Sequence, residues 1–211
     1  MLRRSILTMA VWVGVSGAVV AAPTVLDDCQ DNDPNISIDA CTTLIESGDE
    51  PGDFLDVLYS LRALGYQRAR DFAKAVQDFT EALRLTPDDP QHAPQRAGLL
   101  AIRASASFYT ADYNQAIADY TESIRLAPPE ASSYNGRAYV YLKLKNYDAA
   151  IADYDVALKN DPKRAQSLYG RGLAKRAKGD VVGGAKDMAK AKKLQGDVAA
   201  GFVHDGVDTG P

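Results

Sequence analysis

The sequence predicts an all-α protein built from stacked helical hairpins, and three observations carry that prediction. The string AIADY occurs at Ala116 to Tyr120 and again at Ala150 to Tyr154, 34 residues apart, each time running on to a proline in AIADYTESIRLAP and AIADYDVALKNDP. Around both copies, large and small apolar residues recur three and four positions apart, the spacing of one helix face, on either side of a short polar break. The composition, 46% hydrophobic and 25% charged over 211 residues, suits one soluble globular array of moderate size. A fixed period of this length outranks local propensity, because one hairpin cannot bury its apolar face and about three stacked hairpins can.

Arg3 and Arg4, an uncharged apolar run from Ile6 to Val20 and small residues before Pro23 form the layout of a secretory signal peptide over residues 1–22. Cleavage after Ala21, with Val19 two residues earlier, avoids a proline directly after the cut. The alternative is an uncleaved anchor, for which the run is short. Removal takes both arginines and moves the formal charge from −4 to −6. Residues 23–55 then form an N-terminal segment with a helix over 36–47, expected to be the second half of an incomplete hairpin. This segment holds the two cysteines of the chain, Cys29 and Cys41, and an exported chain meets an oxidising compartment, so a disulfide is expected between them. Lipid attachment at Cys29 would want small residues where Asp27 and Asp28 stand. A metal site would need further ligands, and His92 and His204 are distant in sequence.

Four copies of the repeat cover residues 56–196, as units 56–89, 97–130, 131–164 and 165–196. Breaks such as KNY at Lys145 to Tyr147 and KGD at Lys178 to Asp180 separate two helices in each. Pro87, Pro128 and Pro162 stop the second helix, and Asp161 and Asp180 offer caps for the helices that begin after them. Seven extra residues around DDPQHAPQR lengthen the interval between the first two copies. Pro90 and Pro94 make them a longer loop or an extended start to the next helix. After residue 196, DVAAGFVH reads as a closing helix for the end of the array, and DGVDTGP as a disordered tail.

The third copy carries Tyr134, Ala138, Tyr141, Ala150, Tyr154 and Pro162, an aromatic, small, aromatic, alanine, aromatic, proline pattern that resembles the tetratricopeptide repeat family. The resemblance implies a right-handed α-solenoid of antiparallel helix pairs with a C-terminal capping helix. The last copy departs from the pattern, with Lys175 in place of an aromatic, Gly184 in place of alanine and Gly196 in place of proline, as suits a terminal unit with one solvated side.

A second departure is systematic. Arg62, Arg103, Arg137 and Arg171 occupy a place where the family usually has leucine, and Asp78, Asp119, Asp153 and Asp187 follow each by sixteen residues. The midpoints 70, 111, 145 and 179 all fall in the turns, so each pair should meet at one height on facing helices. A catalytic carboxylate is needed once. An acid present in every unit, beside an arginine, reads as a structural ion pair.

Function is therefore sought on the first helices, which line the concave face of such a stack. The residues expected to face a ligand are Gln67 and Arg68, Phe108 and Tyr109, Asn135, Tyr139 and Lys143, then Tyr169 and Arg176; Ser60, Leu64, Ala101, Ser105, Leu142 and Leu173 share the same helix faces, the leucines as candidates for packing between units. This mixture suits a peptide or a helix of another protein. In relatives that grip acidic chaperone tails, lysines and asparagines cluster on these helices. Here Ser60, Leu64 and Ser105 stand at those places and Asn135 alone agrees. The acidic balance argues against nucleic acid, and the lysines of the last pair (Lys175, Lys178, Lys186, Lys190, Lys192, Lys193) read as a solvated face. No phosphate loop, nucleophile with a readable histidine partner, or zinc motif is present, so neither an enzyme nor a cofactor is expected. The expectation is an exported, periplasmic scaffold that binds an unidentified protein or peptide. A narrower form is an assembly or chaperone-like factor for a cell-wall or outer-membrane complex.

Overall fold

The computed structural model describes residues 25–48, 54–127 and 131–207, and eleven helices with no strand among them. The proposed signal peptide, Pro128 and the last four residues of the expected tail lie outside the described residues. The helices are α1 (Val25–Cys29), α2 (Pro34–Ser47), α3 (Leu55–Arg68), α4 (Phe72–Leu85), α5 (Ala93–Tyr109), α6 (Tyr113–Leu126), α7 (Ala131–Lys143), α8 (Tyr147–Asn160), α9 (Ala165–Ala177), α10 (Val181–Leu194) and α11 (Val198–His204). Hairpins α3–α4, α5–α6, α7–α8 and α9–α10 are the four units, and each second helix packs on the first helix of the next. The seven extra residues lengthen α5 to 17 residues and leave a short loop before it; Pro94 sits in its first turn, where a missing N–H is harmless.

Each turn is built alike. Arg70, Ala111, Lys145 and Gly179 take the left-handed conformation, with φ of 62°, 61°, 60° and 95°. The next residue's N–H reaches back to the first helix (Asp71 to Tyr66 O at 2.8 Å, Asp112 to Ser107 O at 2.9 Å, Asn146 to Tyr141 O at 2.9 Å, Asp180 to Lys175 O at 3.0 Å), closing that helix in a Schellman motif. The same residue caps the second helix: Asp71, Asp112, Asn146 and Asp180 accept from the N–H of Lys74, Gln115, Ala149 and Gly183. Asp161, expected as a cap for α9, instead ends α8, and its carboxylate accepts from Lys163 N at 3.1 Å within the connecting turn.

Between units, the tyrosine of AIADY decides the fit. The Tyr120 ring lies over Gly136 and the buried Tyr154 ring over Gly170, so that a Cβ at either glycine would overlap the phenol. The preceding unit has Phe79, with no hydroxyl, and its successor carries Ile102 at the place of these glycines, packed against the cluster that contains Phe79. Burial of Tyr120 pushes its hydroxyl up to about 12, although a hydrogen bond with Ser105 opposes the shift. In the last unit the helices approach closely at Gly172 and Gly184, where a Cβ on the second would stand 2.6 Å from the carbonyl of the first.

At the N-terminus, Cys29 and Cys41 are fully buried and disulfide-bonded with Cα atoms 4.8 Å apart, joining α1 to α2. Closing a loop of this length contributes about 3 kcal/mol in the chain-entropy account. At the other end α11 packs on α9 and α10. Asp205 to Val207, expected to be part of a disordered tail, are instead fixed: Lys143 Nζ donates to the carbonyls of Asp205 and Gly206 at 2.6 and 2.9 Å, and Val207 is buried.

Candidate functional site: the inner face of the stack

The four repeated carboxylates are all held by arginines. Arg62, Arg103, Arg137 and Arg171 each donate through Nε and Nη2 to both oxygens of Asp78, Asp119, Asp153 and Asp187, at 2.7 to 2.9 Å. The aspartate side chains are 4 to 10% exposed. The contact raises Arg62, Arg137 and Arg171 above the usual guanidinium value. Burial pushes Asp187 up, but hydrogen bonds from Arg171 and Lys175 outweigh it and hold the carboxyl below its ordinary range. Lys175, at the place of a family aromatic, reaches Asp187 Oδ2 at 2.8 Å, so it is an internal partner rather than part of a solvated basic face.

The third nitrogen of each arginine crosses to the preceding second helix. Nη1 of Arg62, Arg103 and Arg137 donates to Thr42, Thr80 and Thr121 at 3.3, 3.1 and 2.9 Å, and that of Arg171 to Asp155 at 2.7 Å. The signal was in the sequence, as DFT, DYT and DYD at residues 78–80, 119–121 and 153–155. The first residue of each triplet serves its own hairpin and the third serves the next. The ladder starts at α2, where Ala40 stands in place of the acid, and stops at Ala189.

The inner face is set by the radius of the stack. First helices touch one another, α5 with α7 and α7 with α9, whereas consecutive second helices show no comparable contact among the described residues; the first helices therefore form the inner, concave layer. On it lies a pocket of about 370 Å³, lined by Ser105, Phe108, Tyr109, Asn135 and Tyr139 together with residues of α11. Four of the expected ligand-facing residues thus meet in one place. Aromatic contacts run through it, from Phe72 stacked on Tyr109 at 4.4 Å, to Phe108 against Tyr109 and Tyr139 at 5.3 and 5.2 Å. Asn135 Oδ1 accepts from Ser167 Oγ at 2.7 Å, which fixes its amide. Burial raises the Tyr109 and Tyr139 hydroxyls, and the neighbouring Asp205 carboxylate raises both further.

The remaining expected residues lie elsewhere. Lys143 and Arg176 line a second pocket with Leu142, Tyr147, Leu173 and Val207. Tyr169 is buried beneath Phe202. Gln67 lines neither pocket. Arg68 is turned to the N-terminal segment, where it donates to Asp31 O at 2.9 Å and Ser37 Oγ at 3.2 Å, so its place in the groove is corrected: the incomplete unit on α3 leaves Asp31 O and Ser37 within its reach. Leu64 and Leu173 pack between units.

Tetratricopeptide repeat models match residues 57–89, 103–165 and 137–199, spanning all four hairpins. The chain belongs to the tetratricopeptide repeat family. Solved structures with the same architecture include the MamA protein, at 20% identity, with 83% of this chain and 92% of that chain covered and a TM-score of 0.68. YrrB, described as a TPR protein with an unusual peptide-binding site, is 14% identical over 82% of this chain and 84% of its own, with a TM-score of 0.63. BtubC (BKLC) from P. vanneervenii is 19% identical over 83% and 78%, at 0.68. No curated protein matches the chain. At these identities the likeness is one of fold, the right-handed solenoid of helix pairs. In this tetratricopeptide array the repeated acids belong to the frame, and the residues that differ from unit to unit gather on the inner face.

Proposed function

We propose that the protein is an interaction scaffold of the cell envelope that holds a peptide segment of a partner protein in its concave groove, without catalysing a reaction. One observation carries the reading. The repeated polar groups are consumed in the arginine ladder, while the unrepeated Ser105, Phe108, Tyr109, Asn135 and Tyr139 surround an open pocket. Aromatic rings with a few fixed amides and hydroxyls are the composition that anchors a peptide with modest ordering of the site. The apolar N-terminal run after Arg3 and Arg4, and two cysteines joined as a disulfide, support export into an oxidising compartment. Membership of the tetratricopeptide repeat family supports a scaffold role, and the groove is where this reading puts the partner. A photoreactive residue at Tyr109, and in a control at the outward-facing Asn114, tests the reading in native envelopes. A crosslink from position 109 to one defined segment of a partner, absent from position 114, is expected. Equal crosslinking from both positions would remove the groove from the account.

A further inference from the structure

The chain lays one of its own segments on the inner face of the stack. Helix α11 has seven residues, no side-chain cap and Gly201 in its middle, so it has little helical stability of its own. Docking holds it. Phe202 is 3% exposed, and its ring fills the space between Tyr139 of α7 and Tyr169 of α9, 5.1 Å from each. Three residues on, Asp205 Oδ2 accepts from the Tyr139 hydroxyl at 2.8 Å, and Tyr109 of α5 faces the same carboxylate. Lys143 Nζ takes the last carbonyls of the segment, as a cation does at a helix C-terminus. Gly206, at φ 65°, then turns the chain so that Val207 is buried. Covering the end of the array needs contact with α9 and α10, and this segment also reaches back to Tyr139 and Lys143 of α7 and lines one pocket with Tyr109 of α5.

We propose that residues 197–207 are a displaceable strap on the binding site, and that the external partner is a helical peptide presenting an aromatic ring with a carboxylate three residues later, as Phe202 and Asp205 do. The groove offers the complementary groups: an aromatic cleft, two tyrosine hydroxyls and the Lys143 ammonium. The pocket beside Phe108 and Asn135 gives an incoming peptide room to begin contact before the strap leaves. An internal occupant lowers apparent affinity by the fraction of molecules in which it is open, so the strap sets a threshold for partner binding.

The proposal rests on the groove reading above, and its test separates the two. The probe is a labelled synthetic peptide with the sequence of residues 197–207, DVAAGFVHDGV, followed by fluorescence anisotropy. Full-length chain carrying Phe202→Ala with Asp205→Asn should bind it at least about tenfold more tightly than the unsubstituted chain. Gly206→Val, which strains the turn and crowds Lys143 Nζ from the strap side without replacing a residue of the groove, should act in the same direction. Equal binding by all three, or none by a variant that keeps its helical circular dichroism, overturns the strap. Hydrogen exchange on the unsubstituted chain decides the matter should the variants not fold. Amides of Gly206 and Val207 should exchange at least about tenfold faster than those of α9, and equal protection means that the segment opens only with the whole fold. Crosslinks from Tyr109 without any difference between variants would remove the strap and keep the scaffold. Strap binding without such crosslinks would do the reverse.

Discussion

Each arginine of the ladder spends its fork on the aspartate of its own hairpin and its remaining nitrogen on the hairpin before, so one side chain sets both the internal and the external spacing of a unit. Stranding one member of a pair this buried costs about 3–5 kcal/mol, whereas replacing both by apolar residues is often near neutral. Arg137→Leu and Asp153→Leu should therefore each lower the melting temperature by on the order of 10 °C, and the double variant should recover much of the loss. Strict additivity in that cycle would count against the pairing. Arg137→Lys should also destabilise, since an ammonium lacks the planar fork that reaches Asp153 and Thr121 together. Asp187 adds a pH dependence. Its carboxyl is held below the ordinary range, so its stabilisation is complete above that range and is lost as pH falls through the lowered folded value. The last unit should fray in acid, and Asp187→Asn should flatten the acid limb of a circular dichroism titration; an unchanged limb would show that the ladder ends before α10.

The four turns show what a repeated element needs and where this chain departs from it. A left-handed residue closes each first helix, yet only Gly179 of the four is glycine; Arg70, Ala111 and Lys145 hold the conformation with a Cβ. Left-handed backbone costs an L residue about 1–2 kcal/mol, against roughly 1 kcal/mol of extra chain entropy for glycine. Ala111→Gly and Lys145→Gly should hence be neutral or stabilising by up to about 1 kcal/mol, a rare case of glycine at no loss. A clear fall in melting temperature would mean that these turns are not left-handed. The elements were legible in the sequence because each repeated residue meets a repeated environment, and the Arg–Asp pairs because equal distances from a turn place residues opposite one another. Thr80, Thr121 and Asp155 escaped that logic, since their partners lie one unit on rather than across the same hairpin. The helix extension into α5 was ambiguous because a proline is compatible with both a loop and a first helical turn. The closing helix that carries Phe202 was legible, but its docking between Tyr139 and Tyr169 was not, and Asp205, read as tail, meets its partner 66 residues away.

At the scale of the whole molecule the chain divides its residues between two tasks. The repeated ones, AIADY foremost, hold the hairpins at fixed spacing, and the tyrosine-over-glycine contacts lock successive units into one stack. The unrepeated ones line the inner helices, where we propose that a partner binds, beneath a segment of the same chain. Such a division makes stability and binding separable by substitution. The most direct test pairs two readouts, melting temperature and photocrosslink yield from Ser105, for Tyr109→Ala and for Arg103→Leu. Tyr109→Ala should abolish the crosslink to a partner while shifting melting by no more than about 4 °C, whereas Arg103→Leu should lower melting far more and keep the crosslink in whatever fraction remains folded. Retention of the full crosslink by Tyr109→Ala would contradict the assignment of binding to the inner face.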